Sequence, residues 1–97
     1  MCKVLRRLIL DVLYPVRGES IIELSLHLSK VEGVEAVNIT VKEVDVDTQN
    51  ILIVVEGKNI SFEEIREVLE RHGGVIHSVD QVSAGTRIIE PPSYLFE

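Results

Sequence analysis

The chain has 97 residues, of which ten are basic and sixteen acidic, so its formal net charge at pH 7 is −6. This length accounts for one domain, because two separate cores would each be too small to offset the cost of ordering the chain. The negative charge argues against nucleic acid or an anionic membrane as the main partner, since both attract cationic surfaces. Hydrophobic residues make up 45% of the chain but aromatic residues only 4%. We therefore expect much aliphatic surface without the aromatic anchors typical of binding pockets.

The N-terminal segment is predicted to be a strand and not a targeting signal. Its longest apolar run, Leu8 to Leu10, is interrupted by Asp11 and is too short for a signal peptide. No stretch approaches the roughly 18 consecutive apolar residues of a membrane span. Cys2 is the only cysteine, which excludes an internal disulfide and favours a reducing, cytoplasmic location.

Turn and capping residues divide the first half of the chain. The first strand is predicted from Val4 to Leu13, where a segment containing Pro and Gly follows. Ser20 is a good N-cap for a helix that runs to about Lys30 and is closed by a glycine. Two β-branched segments, 34–46 and 51–55, then predict a hairpin with its turn at 47–50.

The second half contains one more helix and one more strand. Ser61 and Glu64 form a capping box, which marks the start of a helix that stops at Gly73. The last strand is predicted over 75–84. The order β-α-β-β-α-β predicts an α+β, ferredoxin-like sandwich: a four-stranded antiparallel sheet, with the first and third strands central and two helices on one face.

The predicted domain covers residues 1–86, and residues 87–97 form a C-terminal tail. Pro91 and Pro92 prevent this tail from continuing a central strand. We expect it to pack on its own subunit or on a neighbouring one.

The apolar residues exceed what one face of the sheet can bury. On the first helix, Leu24 and Leu28 form an inward stripe, but Ile22 and Leu26 fall nearly opposite it. The central strands are apolar on both faces, with Leu52 and Val54 on the second face. The pattern predicts a homo-oligomer with these four outward residues in its interface. The alternative is that they are isolated exposed aliphatics, which are normal on protein surfaces.

Several functions that occur on this topology do not fit the sequence. The central strands lack the aromatic residues with which RNA-recognition modules stack bases. Metallochaperones of this topology carry two closely spaced cysteines after the first strand, which are missing here. Arg17 only faintly resembles the arginine that ends the phosphate loop of acylphosphatases.

Two groups of polar residues are candidate sites for a divalent cation, calcium or magnesium. Asp45 and Asp47 present oxygens at alternate positions like the start of a calcium loop, although the required Gly and final Glu are missing, so a solvated turn is the alternative. Asp11 interrupts the first strand and can lie beside His77, whereas a register slip of one residue would favour Asp80. Such a pair would bind metal or act as a general base, and the alternative is a structural hydrogen bond.

The most distinctive motif of the chain is the segment from Gly73 to Gly85, and the others are Leu10-Asp11-Val12-Leu13, Val37-Asn38-Ile39-Thr40 with Glu43-Val44-Asp45, and Phe62-x-Glu64-Ile65-Arg66. In these motifs, over residues 3–85, the chain resembles an archaeal family with a ferredoxin-like fold, domain of unknown function 211. The resemblance implies an archaeal, cytoplasmic protein that assembles into homo-oligomeric rings, and it carries over no catalytic residues. It does emphasise Asp11 and the segment from His77 to Asp80.

These features favour a non-enzymatic, homo-oligomeric module that binds a small ligand, as yet unidentified, or a divalent cation. The alternative is a small hydrolase or isomerase that uses Asp11, His77 and Asp80. His27 and His72 are interpreted as a helix-surface residue and a helix-cap residue.

Overall fold

The computed structural model describes residues 3–96, so Cys2 lies outside the described residues. Four antiparallel strands form one sheet in the order β2-β3-β1-β4. This arrangement confirms the predicted βαββαβ fold with the first and third strands at the centre. The elements are, in chain order, β1 (Val4–Pro15), α1 (Ile21–Ser29), β2 (Val34–Val44), β3 (Thr48–Gly57), α2 (Phe62–Arg71), β4 (Val75–Gly85) and a short 3-10 helix (Ser93–Phe96).

Both predicted helix starts are confirmed by their capping hydrogen bonds. The Ser20 hydroxyl accepts from the Glu23 amide at 3.2 Å, and the Ser61 hydroxyl accepts from the Glu64 amide at 3.3 Å. Each bond satisfies one of the amides that the first turn of a helix leaves without an intrahelical partner. Both helices therefore begin where the sequence predicted.

The hairpin turn lies earlier than predicted, at residues 45–47 instead of 47–50. The reason is β1, which extends to Pro15 and supplies pairing partners for the start of β3, including Tyr14 opposite Gln49. The Val16 amide also donates to the Asp47 carbonyl at 3.0 Å. Because this neighbouring strand offers hydrogen bonds to residues 48–50, they extend the ladder and do not turn.

The core lies between the sheet and the two helices. Alternate residues of β1 and β3 point into it, as expected for strands with one face against helices. The helices contribute the inward stripes that their sequence spacing predicts. The most deeply buried of these side chains are Leu10, Val12, Tyr14, Leu24, Leu28, Ile51, Ile53, Val55, Ile65 and Leu69.

The helices are too short to cover the whole helix-side face of the sheet. Twelve residues of β1 extend about 40 Å, whereas the nine and ten residues of α1 and α2 extend only about 14–15 Å. On the edge strand β4, Val79 and Val82 pair with the buried Leu10 and Leu8 and so share their face. They nevertheless remain 46% and 56% exposed. The helix-side face therefore has apolar residues at its edge that α2 does not cover.

Within residues 3–96, no helix has the length and apolar character needed to cross a membrane.

Tyr14 joins the core to the loop before α1. Its ring is fully buried, and its hydroxyl donates to the Glu19 main-chain carbonyl at 2.6 Å. Burial, and secondarily the charge of Glu19, raise the pKa of Tyr14 above its ordinary value, so the phenol stays a hydrogen-bond donor at neutral pH.

We expect Tyr14→Phe to lower the free energy of unfolding by about 1 kcal/mol, because one hydrogen bond is lost while the ring still packs. Urea denaturation followed by circular dichroism measures this change. Tyr94→Phe is the matched control, since Tyr94 is largely exposed, and it should leave stability unchanged. An equal effect of both substitutions would show that the Tyr14 hydrogen bond contributes nothing.

Candidate functional site

The face of the sheet away from the helices, called the open face below, combines apolar and charged residues. Ile9 of β1 pairs with Val54 of β3, and Asp11 pairs with Leu52. Leu52 and Val54, two of the predicted interface residues, are half-buried here. Arg7 lies on the same face of β1. The open face is thus less uniformly apolar than the central strands alone suggested.

Asp11 lies near the centre of the open face and is mostly buried, with 14% of its side chain exposed. Its Oδ2 atom is 3.3 Å from Nζ of Lys42, which reaches across from β2. Its Oδ1 atom is buried and has no hydrogen-bond partner among residues 3–96. A buried acceptor without a partner costs free energy, so the pair with Lys42 is the main compensation for this carboxylate.

The register places Asp11 opposite Ser78, and not opposite His77 or Asp80. Between the paired positions of β4, the chain skips His77 and then Asp80, so each of them is the extra residue of a β-bulge. The Ser78 hydroxyl donates to Asp80 Oδ1 at 2.6 Å. Asp11, His77 and Asp80 therefore do not converge as a cluster of ligand atoms in the described part of the chain.

Asp45 and Asp47 lie in the turn between β2 and β3, with both side chains exposed. The Asp45 carboxylate accepts from the Val46 amide at 2.8 Å, and the Asp45 amide donates to the Thr48 carbonyl at 2.8 Å. Asp45 also lines a shallow pocket with Glu43 and Asn50. The hydrogen bonds of Asp45 are those of a turn-forming residue.

Arg7 organises the end of the open face and holds the tail. Its guanidinium donates to Glu56 at 2.8 Å and to Gln81 at 3.0 Å, and it pairs with Glu90 of the tail at 2.6 Å. The carboxylates of Glu90 and then Glu56 raise the pKa of Arg7, while Arg7 lowers the pKa of Glu90. Only 14% of the Arg7 side chain is exposed, so the tail is attached to its own chain by a well-packed arginine.

A second polar cluster, called the Glu19 cluster below, consists of Glu19, His27 and His72. Glu19 Oε1 is 2.7 Å from His27 Nε2, and Glu19 Oε2 is 3.5 Å from His72 Nδ1. The two imidazole rings stack with centroids 4.8 Å apart and planes at 27°. One potential ligand atom from each residue lies within 4.8 Å of the others, and residues 3–96 contain no other group of three that meets this description.

Three elements bring the Glu19 cluster together. Glu19 precedes α1, where Tyr14 holds its carbonyl, while His27 lies in the last turn of α1. His72 is the C-cap of α2, as its helix-cap interpretation predicted. Because α2 packs against α1, its end meets both the α1 surface and the loop before it. The residues are far apart in sequence and meet only through the helix packing.

The Glu19 cluster was not predicted from the sequence, because His27 and His72 were interpreted separately, as a helix-surface residue and a helix-cap residue. One available signal was the helical periodicity, which places His72 on the apolar side of α2 with Val68 and Leu69 and hence toward α1. Glu19 offered no comparable signal, since its approach depends on the conformation of the loop before α1.

Comparison with known proteins identifies a family and a relative. The family model DUF211, described as an uncharacterized ArCR family, matches residues 6–97. The "Uncharacterized protein MJ0319" of Methanocaldococcus jannaschii is 44% identical over 86 residues, which cover 89% of this chain and 88% of the relative. These matches confirm the family resemblance, and neither description names an activity.

We expect Lys42→Met to lower the free energy of unfolding by about 1 kcal/mol, because the mostly buried Asp11 carboxylate loses its cation. Adding Asp11→Val should recover this loss, since an ion pair replaced by packed apolar groups is often neutral or stabilising. Urea denaturation of both variants tests the pair. Lys58→Met is the control, because its 3.9 Å pair with Glu35 is exposed and should contribute almost nothing. A double variant less stable than Lys42→Met would contradict this account of Asp11.

Glu90 should titrate below its ordinary value of 4.5, because its ionised form is stabilised by Arg7. A depressed folded-state pKa contributes stability above the unfolded-state value, and this contribution is lost as pH falls through the folded-state value. NMR titration of the Glu90 carboxyl carbon measures the effect directly. Arg7→Gln should raise the Glu90 pKa toward 4.5, whereas Arg66→Gln, on α2, should not change it. Equal titration in all three proteins would exclude the tail contact in solution.

Proposed function

The chain belongs to the DUF211 family of uncharacterised archaeal proteins, and we propose that it is a non-catalytic subunit of a homo-oligomer. The observation that carries the proposal is apolar surface at two opposite edges of the helix layer. At one edge are Ile22 and Leu26 of α1, which are 69% and 51% exposed. At the other are Val79 and Val82 of β4.

The two surfaces lie at opposite edges because of the strand order. α1 packs against β2 and α2 packs against β4, and these strands are the two edges of the sheet. Ile22 also borders a groove between α1 and β2 that Val37 and Ile39 line. One edge therefore offers an apolar ridge and groove, and the other offers exposed valines. Both of these edges are on the helix side of the sheet.

A second copy of the chain is the occupant that this arrangement favours. Glu90 of the C-terminal tail pairs with Arg7 on the open face, which is the side of the sheet away from the helix layer. Packing α1 of one copy against the β4 edge of the next is a head-to-tail contact, which closes into a ring when its rotation allows. Side-chain packing is favoured over strand pairing at this edge, since the bulges at His77 and Asp80 interrupt the ladder.

The open face is a second proposed contact, through Leu52 and Val54. Both are half-buried within one copy, so they have less apolar surface left to bury than Ile22 or Val82. Their contribution to assembly should accordingly be smaller. We place the assembly in the cytoplasm, on the evidence of the single cysteine.

A non-catalytic role is preferred because the candidate catalytic residues have other interactions. Asp11 pairs with Lys42, and Asp80 accepts from Ser78. A general base must lie within hydrogen-bond reach of the group it serves and be oriented by a partner. In this arrangement, Asp11 and His77 lie at different register positions.

Size-exclusion chromatography with light scattering tests the assembly. The chain should elute as a discrete oligomer, and Ile22→Glu with Leu26→Glu should convert it to monomer, because two charges would be buried at the contact. Val79→Glu with Val82→Glu should do the same. Val46→Glu is the control, since Val46 is exposed in the hairpin turn and belongs to neither α1 nor β4, and it should leave the mass unchanged. Circular dichroism checks that each variant folds.

Mixing the two double variants distinguishes head-to-tail contact from other arrangements. Each variant retains one intact edge, so one α1 variant and one β4 variant should form a dimer joined by their intact edges and stop there. A wild-type monomer at micromolar concentration, or an unchanged oligomer in either double variant, would exclude the proposed contact. Monomers that stay apart on mixing would exclude its head-to-tail form.

A further inference from the structure

The Glu19 cluster holds donor atoms that a metal ion uses. Two imidazole nitrogens and a carboxylate oxygen lie within 4.8 Å of one another, supplied by Glu19, His27 and His72. All three side chains are accessible to solvent, since Glu19 and His27 are exposed and His72 is half-buried. An ion can therefore reach the cluster without unfolding of the helices.

From this geometry we infer that Glu19, His27 and His72 bind a divalent transition-metal ion of the zinc class. Zinc bonds to histidine nitrogen and carboxylate oxygen are about 2.0–2.2 Å long, so two ligand atoms on a tetrahedral ion lie about 3.4 Å apart. The observed separations from Glu19 are 2.7 Å to His27 and 3.5 Å to His72. Because the two imidazole planes are inclined by only 27°, the rings must rotate out of their stack to direct one nitrogen each at the same ion.

The types of ligand atom, two imidazole nitrogens and one carboxylate oxygen, determine which metals fit the site. Imidazole suits zinc, copper and nickel, whereas calcium and magnesium prefer oxygen ligands throughout. This inference thus differs from the calcium or magnesium site that the carboxylates Asp45, Asp47, Asp11 and Asp80 suggested from the sequence. The site is also complete within one copy of the chain, so the proposed assembly supplies none of its ligands.

Binding of the metal must displace a proton from His27. In the metal-free cluster, the 2.7 Å contact needs a proton on His27 Nε2, which donates to the Glu19 carboxylate. The metal takes the Nε2 lone pair, and that proton goes to solvent or, where His27 is neutral, to its other ring nitrogen. Neutral imidazoles are the ligands, so the metal and the proton compete for the same ring nitrogen.

Two cationic side chains lie beside the Glu19 cluster. A pocket of about 440 Å³ is lined by His27 and His72 together with Lys30 and Arg71. The two cations raise the electrostatic cost of bringing in a metal ion. Coordination by all three ligands must offset that cost, so removal of any one should weaken binding strongly. Three protein ligands also leave one tetrahedral position open to solvent.

Tyr14 is expected to act as a positioning residue for the cluster. Its hydroxyl donates to the Glu19 carbonyl at 2.6 Å and so fixes the main chain of the residue that supplies the carboxylate. This hydrogen bond links the buried core to one metal ligand. The other two ligands are held by helices that pack on the same core.

Calorimetric titration with Zn²⁺ at pH 7.5 tests the inference. One ion per chain should bind, and His27→Gln, His72→Gln and Glu19→Gln should each weaken binding by more than about tenfold. His77→Gln is the matched control, because His77 is the third histidine of the chain and lies exposed on β4. It should bind Zn²⁺ with unchanged stoichiometry and affinity. Ca²⁺ should give no heat at the same concentration.

NMR of the unmodified chain provides a test that does not depend on folding of the variants. Zn²⁺ should shift the imidazole signals of His27 and His72 and leave those of His77 unchanged. Absence of Zn²⁺ binding, an equal loss in His77→Gln, or unchanged binding in a His27→Gln/His72→Gln variant would overturn the inference. Monomeric variants from the assembly experiment should retain the site, so failure of assembly and failure of metal binding are separate results.

Discussion

The central strand β1 is the element on which the rest of the structure depends. It pairs with β3 on one side and β4 on the other, so neither of its edges is free. Its inward residues, among them Leu10 and Val12, are the centre of the core. Its outward residues Arg7 and Asp11 organise the open face, and Tyr14 near its end holds the loop before α1. Alternation of side chains thus gives one strand both a stabilising and an organising role.

Much of the architecture could be predicted because it follows from local chemistry. Ser20 and Ser61 cap helices through their own first turns, and the alternation of apolar residues in β1 requires no distant partner. The hairpin turn was misplaced because the conformation of residues 48–50 depends on pairing with Tyr14 and Pro15, which are more than thirty residues away. Pairing with a distant strand therefore overrode the local turn propensity of residues 48–50.

The candidate sites were less predictable than the fold for the same reason. His77 and Asp80 are bulge residues, and a bulge changes which side chain faces Asp11 without any change in the apolar pattern of β4. The Glu19 cluster requires helix packing to bring together residues 19, 27 and 72. Sequence periodicity indicates which side of a helix faces inward, but it does not indicate which polar residues meet at its border.

Helix α1 connects the two proposals, because neighbouring sides of it take part in each. Leu26 lies on the outer surface that we assign to subunit contact, and the next residue, His27, faces Glu19 and His72. A metal ion at the Glu19 cluster would fix α1 to the end of α2 and restrict its motion. Ordering a helix before it enters an interface lowers the entropy lost on association, which favours assembly without any new subunit contact. Because binding linkage is reciprocal, a subunit contact that fixes α1 would raise the metal affinity by the same factor.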